Sequence, residues 1–264
     1  MIPKIIHWCW LSGDPLPEDI KGCIKTWEEK LGGYEIRLWD TKRFDIYQSP
    51  WTTEAYHYRK YAFAADYIRL YALYNYGGIY LDSDVRVYKA FDDLLELPYF
   101  LGRDFLGCFE PAIVGVEKGT KWVKDVLDWY EGRHFVKETR EFDMKNLPVV
   151  FFERLWGRYE FKAIESKEDF DRREGVISLF DSDFFNGRDN MGVIRAERSY
   201  TSHCFAASWS DGKAIRPGMR LLKALPRAWA NKLLSVHYRK TQDKCRRYDP
   251  IYRQEAERDK AEGK

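Results

Sequence analysis

Tyr76-Gly77-Gly78-Ile79-Tyr80-Leu81-Asp82-Ser83-Asp84-Val85 is the stretch that decides the fold. Ile79 to Leu81 is a β-prone apolar run, entered through two glycines and stopped by paired carboxylates. Glycine takes the left-handed conformation without a Cβ clash, so the Gly pair suits a chain leaving a helix. A buried strand that stops at Asp-Ser-Asp delivers two anions to the end of a sheet, where open α/β sheets bind ligands. If the strand stays extended, Asp82 and Asp84 share a face and Ser83 takes the other. Two convergent carboxylates repel unless a cation, a proton or a hydrogen-bond donor lies between them. A hard divalent ion such as Mn2+ or Mg2+ suits that place. A solvated acidic turn is the plain alternative for a bare Asp-x-Asp.

Outward from this strand the pattern is α/β. Lys4 to Trp10 is β-rich and ends in a turn at Leu11-Ser12-Gly13-Asp14-Pro15. Glu18 to Lys30 places Ile20, Cys23, Ile24 and Trp27 at helical spacing and stops at Gly32-Gly33. Tyr34 to Trp39 alternates like a strand, which closes a right-handed βαβ unit if the sheet is parallel. One aromatic-rich helix is expected from Tyr56 to Tyr76, a strand from Ala112 to Val116, and a helix from Thr120 to Tyr130. Charged loops are expected through Glu131 to Asp189, around the apolar patches Leu147–Phe152 and Val176–Phe180. Tyr200 to Trp209 looks like a last strand and loop. Two short helices, Met219 to Leu225 and Pro226 to Tyr238, precede an end from Arg239 that is polar and expected to fray.

Composition narrows the class. The 264 residues are 45% hydrophobic and 17% aromatic, enough for a full core. Five scattered cysteines without a Cys-x-x-Cys pair point away from a disulfide framework or zinc site, toward a reducing compartment. No leader is evident before Ile2-Pro3-Lys4, and no apolar run approaches the ~18 residues of a span. A cytoplasmic protein, with peripheral contact at the inner face of the membrane, is the expectation, and no nucleic-acid partner is expected. Residues 213–264 carry 15 Lys and Arg against 6 Asp and Glu, net +9, which leaves 1–212 at net −7. That reads as one domain, 1–212, and a basic helical tail, 213–264.

Ala65-Asp66-Tyr67-Ile68-Arg69-Leu70, with Leu73 through Asp84, resembles the sugar-binding region of glycosyltransferases with a DXD motif. The closest group is family 32, with bacterial capsule and lipopolysaccharide enzymes and yeast mannosyltransferases; the clostridial glucosylating toxins are more distant. Ile2 to Trp8 and His203 to Trp209 extend the resemblance over residues 2–209. It implies a GT-A fold: a Rossmann-like mixed α/β sheet flanked by helices, holding a nucleotide-diphosphate sugar and Mn2+ or Mg2+, here with a C-terminal helical tail. The donor, a UDP-sugar by preference, would pass its sugar with retention to a glycan or lipid-linked hydroxyl in surface polysaccharide synthesis.

Residue by residue, the resemblance puts Asp66 and Arg69 on the donor's ribose and sugar hydroxyls. Spacing alone allows those two merely to pair with each other. Asp84 and His203 would ligate the metal, and Asp82 would contact ribose or sugar. Asp82, Asp84 and Arg69 are the residues expected to carry catalysis. Ser208 and Trp209 match the pair that touches the diphosphate. Trp10 matches the tryptophan that stacks on the base in the toxins; Trp8 shares its strand face and competes for the role. Asp181-Ser182-Asp183 is a second Asp-x-Asp, expected in a loop and without counterpart in the family. Glu110 either faces the acceptor or is structural.

Two rival classes stand beside this reading. A haloacid-dehalogenase-type phosphatase also places Asp-x-Asp after a strand, with the first Asp as nucleophile. That family wants Thr or Val two residues after the second Asp, where this chain has Arg86, and wants the pair in the first strand. A silent carbohydrate-binding module is the other, and the intact Asp66, Arg69, Asp82, Asp84 and His203 set speaks against it. The tail yields the first prediction. Leu221, Leu222, Leu225, Trp229 and Leu233 interleave with Arg220, Lys223, Arg227 and Lys232, so the segment should bind anionic membrane at ~1 kcal/mol per charge near the surface. Co-sedimentation with anionic liposomes should weaken as salt rises; no salt-sensitive binding would rule the contact out.

Overall fold

The computed structural model describes residues 1–186, 198–204, 241 and 243–262. The first unit forms as the periodicities require. Strand β1 (Ile5–Cys9) leads through helix α1 (Glu18–Lys30) to β2 (Glu35–Trp39), and β1 and β2 pair in parallel with Ile6 opposite Ile36. Helix α1 opens with Glu18 and Asp19 in its first turn, where anions favour the helix dipole, and buries Ile20, Cys23 and Trp27. The single helix expected over 56–76 is two. Helix α2 (Pro50–His57) and helix α3 (Tyr61–Tyr76) are broken at Arg59, which sits at φ 55°. A non-glycine residue held there interrupts the helical ladder.

Helix α3 runs into β3 (Gly78–Leu81), and β3 lies parallel to β1 with Ile79 beside Ile6. After it come β4 (Val85–Val87), β5 (Tyr99–Arg103) and β6 (Phe109–Val116). Then follow α4 (Lys121–Leu127), α5 (Leu147–Leu155), β7 (Glu160–Ile164), β8 (Val176–Phe180), α6 (Ser182–Phe185) and β9 (Thr201–His203). The last described helix is α7 (Pro250–Ala261). Thus the apolar patch 147–152 is helical and the patch 176–180 is a strand, while β5 and β7 were not expected.

The main sheet has seven strands in the order β2-β1-β3-β6-β5-β8-β7. It is mixed: β6 runs antiparallel to both β3 and β5, and the other neighbours are parallel. Alternation sends side chains to two apolar layers. Tyr80, Val114, Leu101 and Leu179 join the layer that includes residues of α2 to α5, and Ile79, Leu81, Phe100 and Phe180 join the layer with Trp27 of α1. This is the Rossmann-like mixed α/β sheet flanked by helices. A separate two-stranded ribbon pairs β4 with β9 antiparallel, Val85 opposite His203.

The end of the chain departs from expectation. Helix α7 is docked, not frayed: Gln254 accepts the Phe161 N–H at 2.8 Å and donates to the Phe161 carbonyl at 3.0 Å, which covers part of the edge strand β7. Asp249 caps it by accepting from the backbone N–H groups of Ile251 and Tyr252, both at 3.0 Å. The two helices expected over 219–238 lie outside the described residues. No helix among the described residues is long and apolar enough to cross a membrane.

The α3–β3 joint needs its glycines. Gly78 has φ +99°, and a Cβ there would stand 2.7 Å from the Ile5 carbonyl oxygen. Beside it His7 is buried and lies between two fixed partners, the Gly77 carbonyl at 2.8 Å from Nε2 and the Trp39 indole N–H, which donates to Nδ1 at 3.0 Å. Gly78→Ala should therefore lose at least ~1–3 kcal/mol of stability through backbone strain and the clash. A urea midpoint unchanged from wild type would show that the joint relaxes freely.

Candidate active site

Strand β3 stops at Leu81, and Asp82 to Asp84 form a turn closed by the Val85 N–H on the Asp82 carbonyl at 3.0 Å. The two carboxylates therefore converge through a turn, not through the alternation of an extended strand. The turn is pinned to β6, because the Asp82 N–H donates to the Ala112 carbonyl at 2.9 Å. Its other side is held by the ribbon: the Cys204 N–H donates to the Asp84 carbonyl at 3.0 Å. That register carries His203 to the turn, with Nε2 at 3.3 Å from Asp84 Oδ1. One donor atom from each of Asp82, Asp84 and His203 lies within 4.8 Å of the others. Two carboxylate oxygens and an imidazole nitrogen are a donor set that Mn2+ accepts.

Arg69 stands behind the turn. Asp66 and Arg69 are one helical turn apart on α3, and they do pair, at 3.2 Å. The same guanidinium nitrogen reaches Asp82 Oδ1 at 2.8 Å, and the other terminal nitrogen donates to the Pro111 carbonyl. The guanidinium carbon lies over the Tyr80 ring, 4.4 Å from its centre. One buried cation thus joins α3, β3 and β6. Burial pushes the Asp66 carboxyl up to about 7, with the Arg69 charge pulling against it. Burial likewise raises Asp82, again opposed by Arg69.

His203 faces a second carboxylate. Its Nδ1 is 3.5 Å from Glu110 Oε1, and Glu110 is 4% exposed. Burial pulls the imidazole down, but Glu110 first and Asp84 next outweigh it, so His203 is held well above the ordinary histidine range. Glu110 was seen in the sequence only as a structural or acceptor-facing residue. A lone Glu before a proline carries no local signal of its contact with residue 203.

The two tryptophans separate. Trp8 is buried, edge-on to Trp27 at 5.9 Å, and belongs to the core. Trp10 follows β1, is only partly buried, and its indole N–H donates to the Asp14 carbonyl at 2.8 Å, which leaves part of its surface open. Asp181 and Asp183 are not in a loop: Asp181 is the N-cap of the one-turn helix α6 and Asp183 lies in its first turn, paired with Arg103 at 2.6 Å and Arg198 at 3.5 Å respectively. Ser208, Trp209 and the apolar-basic stretch 220–233 lie outside the described residues.

Two carboxylates, an imidazole and a buried arginine thus meet at the end of an α/β sheet. Residues 17–101 match the family described as glycosyltransferase sugar-binding region containing DXD motif. The chain is similar to inositol phosphoceramide mannosyltransferase 3 of Schizosaccharomyces pombe, 33% identical over 130 residues, covering 48% of this chain and 36% of the relative. It is also similar to the mannosyl phosphorylinositol ceramide synthase CSH1 of Saccharomyces cerevisiae, 33% identical over 147 residues, 49% of this chain and 38% of that one. Subversion of eukaryotic traffic protein A of Legionella pneumophila is 25% identical over 176 residues, 53% and 27% of the two chains. Among solved structures, the PaToxG glycosyltransferase aligns with a TM-score of 0.43 at 20% identity, covering 59% of this chain and 69% of that one. The match therefore spans two fifths or less of the first relatives' own length. Family match and named relatives together support a glycosyltransferase.

The arginine yields a stability prediction. Arg69→Met leaves Asp66 and Asp82 without their shared cation in a mostly dehydrated place. Breaking such a buried arrangement from one side costs about 3–5 kcal/mol. Chemical denaturation of the variant should show that loss, and a loss below ~1 kcal/mol would mean that water, not Arg69, balances the two acids.

Proposed function

We propose that the chain is a metal-dependent glycosyltransferase that moves a hexose from a nucleotide-diphosphate sugar to a lipid-linked or glycan hydroxyl. The observation that carries this reading is the convergence of Asp82, Asp84 and His203 beside Arg69. Asp84 and His203 hold the divalent cation, Mn2+ by preference. Bound there, the ion supplies Lewis-acid neutralisation of the departing nucleoside diphosphate. Asp82, already oriented by Arg69, and Asp66 take the donor's hydroxyls. Trp10 offers its open surface to the base, where stacking contributes ~1–3 kcal/mol. Among the described residues near the turn, the carboxylates lie in ion pairs, and we read the reaction as retaining, by front-face attack without a covalent intermediate.

The names of the relatives bear on the acceptor. Two of them are named for mannosyl transfer to inositol phosphoceramide. That moves the favoured acceptor from a capsular or lipopolysaccharide glycan, the expectation from sequence, to a phosphoinositol-type lipid headgroup, and makes a mannosyl donor as eligible as a UDP-sugar. Thermal-shift screening against UDP- and GDP-sugars with Mn2+ identifies the donor, since a tight binder raises the melting temperature by mass action.

The two carboxylates of the turn should behave differently. Asp84→Asn keeps the shape but removes a negative charge from the cation, so donor hydrolysis should demand more Mn2+. Asp82→Asn should leave Mn2+ demand closer to wild type while turnover falls by ~100-fold through lost orientation of the donor. In parallel, Trp10→Ala should weaken donor binding and leave saturated turnover nearly unchanged. Wild-type turnover and Mn2+ dependence in both Asn variants would reduce the motif to an acidic turn.

A further inference from the structure

Glu110 is a buried carboxylate. It lies in β6 between Phe109, 1% exposed, and Ala112, 2% exposed, and is itself 4% exposed. Burying an anion is costly unless it is paired and hydrogen-bonded. The arginine nearby does not serve it, because the two terminal nitrogens of Arg69 are bonded to Asp66, Asp82 and the Pro111 carbonyl. The contacts that hold Glu110 among the described residues are two. Oε1 accepts the Ala112 N–H at 3.2 Å, and the same oxygen faces His203 Nδ1 at 3.5 Å.

The first contact is a hydrogen bond, and the second is an ion-pair approach longer than one. The bond to Ala112 ties the carboxylate to its own strand, two residues along, in the segment whose Ala112 carbonyl anchors Asp82. The imidazole then has Glu110 on Nδ1 and Asp84 on Nε2, at 3.5 and 3.3 Å. A ring held on one nitrogen presents the other, which is how a partner carboxylate sets tautomer and aim in a metal-binding histidine.

We propose that Glu110 is a positioning residue: its carboxylate holds the Nδ1 side of His203 and so keeps Nε2 turned to Asp84 and the cation site. This rests on the cation site proposed above, but it concerns a residue beyond the matched segment 17–101 and outside the Asp-x-Asp turn. Glu110 does not touch the cation or the donor in this reading. It acts through the ring.

The test is Mn2+ binding to the full, donor-free chain, followed by the loss of the free-ion signal in electron paramagnetic resonance. Glu110→Ala should raise the Mn2+ dissociation constant by about 10- to 100-fold. Glu110→Gln, which keeps an oxygen that can accept the Nδ1 proton, should raise it less. Donor hydrolysis by Glu110→Ala should recover at saturating Mn2+, and the 15N signals of the His203 ring should shift in both variants. If wild type binds no Mn2+, the cation site itself is refuted and this inference falls with it. If wild type binds and the alanine variant binds equally well, the cation site stands and only the role of Glu110 is refuted. Lowered turnover at saturating Mn2+ with unchanged Mn2+ affinity would place Glu110 on substrate, which also overturns the proposal. Should the alanine variant fail to fold, unchanged His203 ring signals in Glu110→Gln would refute it alone.

Discussion

The guanidinium of Arg69 is the interaction on which the site depends. It is nearly dehydrated, with its side chain 6% exposed, yet it lies between two acids, a carbonyl and an aromatic face. Those partners come from its own helix α3, from β3 and the turn after it, and from β6, so the cation fixes the separation of α3, β3 and β6 at the strand ends. A lysine could offer charge but not the planar fork that meets Asp66, Asp82 and Pro111 together. The charge balance around it is also informative. Asp66, Asp82, Asp84 and Glu110 are four acids set against Arg69 and His203. An excess of acid in a place of low exposure is what a divalent ion would relieve.

Topology supplies the imidazole. His203 is far from Asp84 along the chain, and no local pattern could bring them together. The β4–β9 ribbon does so by register, since pairing Val85 with His203 places the imidazole beside the turn that immediately precedes β4. Helix α1 packs under the same ribbon, and the Trp27 indole N–H donates to the Val85 carbonyl at 2.7 Å. The first helix of the chain and its last described strand therefore both bear on the three-residue turn.

What was legible in the sequence follows from how local the cause was. Helix α1 and strand β3 could be read because their apolar spacing and glycine stops lie within a few residues. The break at Arg59 could not, since an arginine in left-handed geometry has no residue signature of the kind glycine or asparagine gives. Strand β7 does not alternate: Phe161 and Ile164 are buried on opposite faces while Glu160, Lys162 and Ala163 are exposed, so its five residues carry no period-2 signal among the charged loops. Helix α7 was misjudged for its polarity, although Asp249-Pro250 is a helix start by composition. It is held by a side-chain amide on an edge strand, which hydrophobic patterning does not detect. Asp66 and Arg69 were legible as a pair, whereas their third partner, Asp82, required the packing of α3 on β3.

The two acids of the turn are not equivalent, and the reason is their partners. Asp82 is bonded to a permanent cation that cannot leave, so its charge is largely committed before any ligand arrives. Asp84 faces an imidazole, whose proton is exchangeable. The fold thereby divides one short motif into a fixed half that orients and an open half that can exchange its counter-charge. Glu110 belongs with the open half, because it faces the same imidazole. Within this geometry the spacing Asp-x-Asp matters less for the distance it sets than for the different neighbours it gives to each carboxylate.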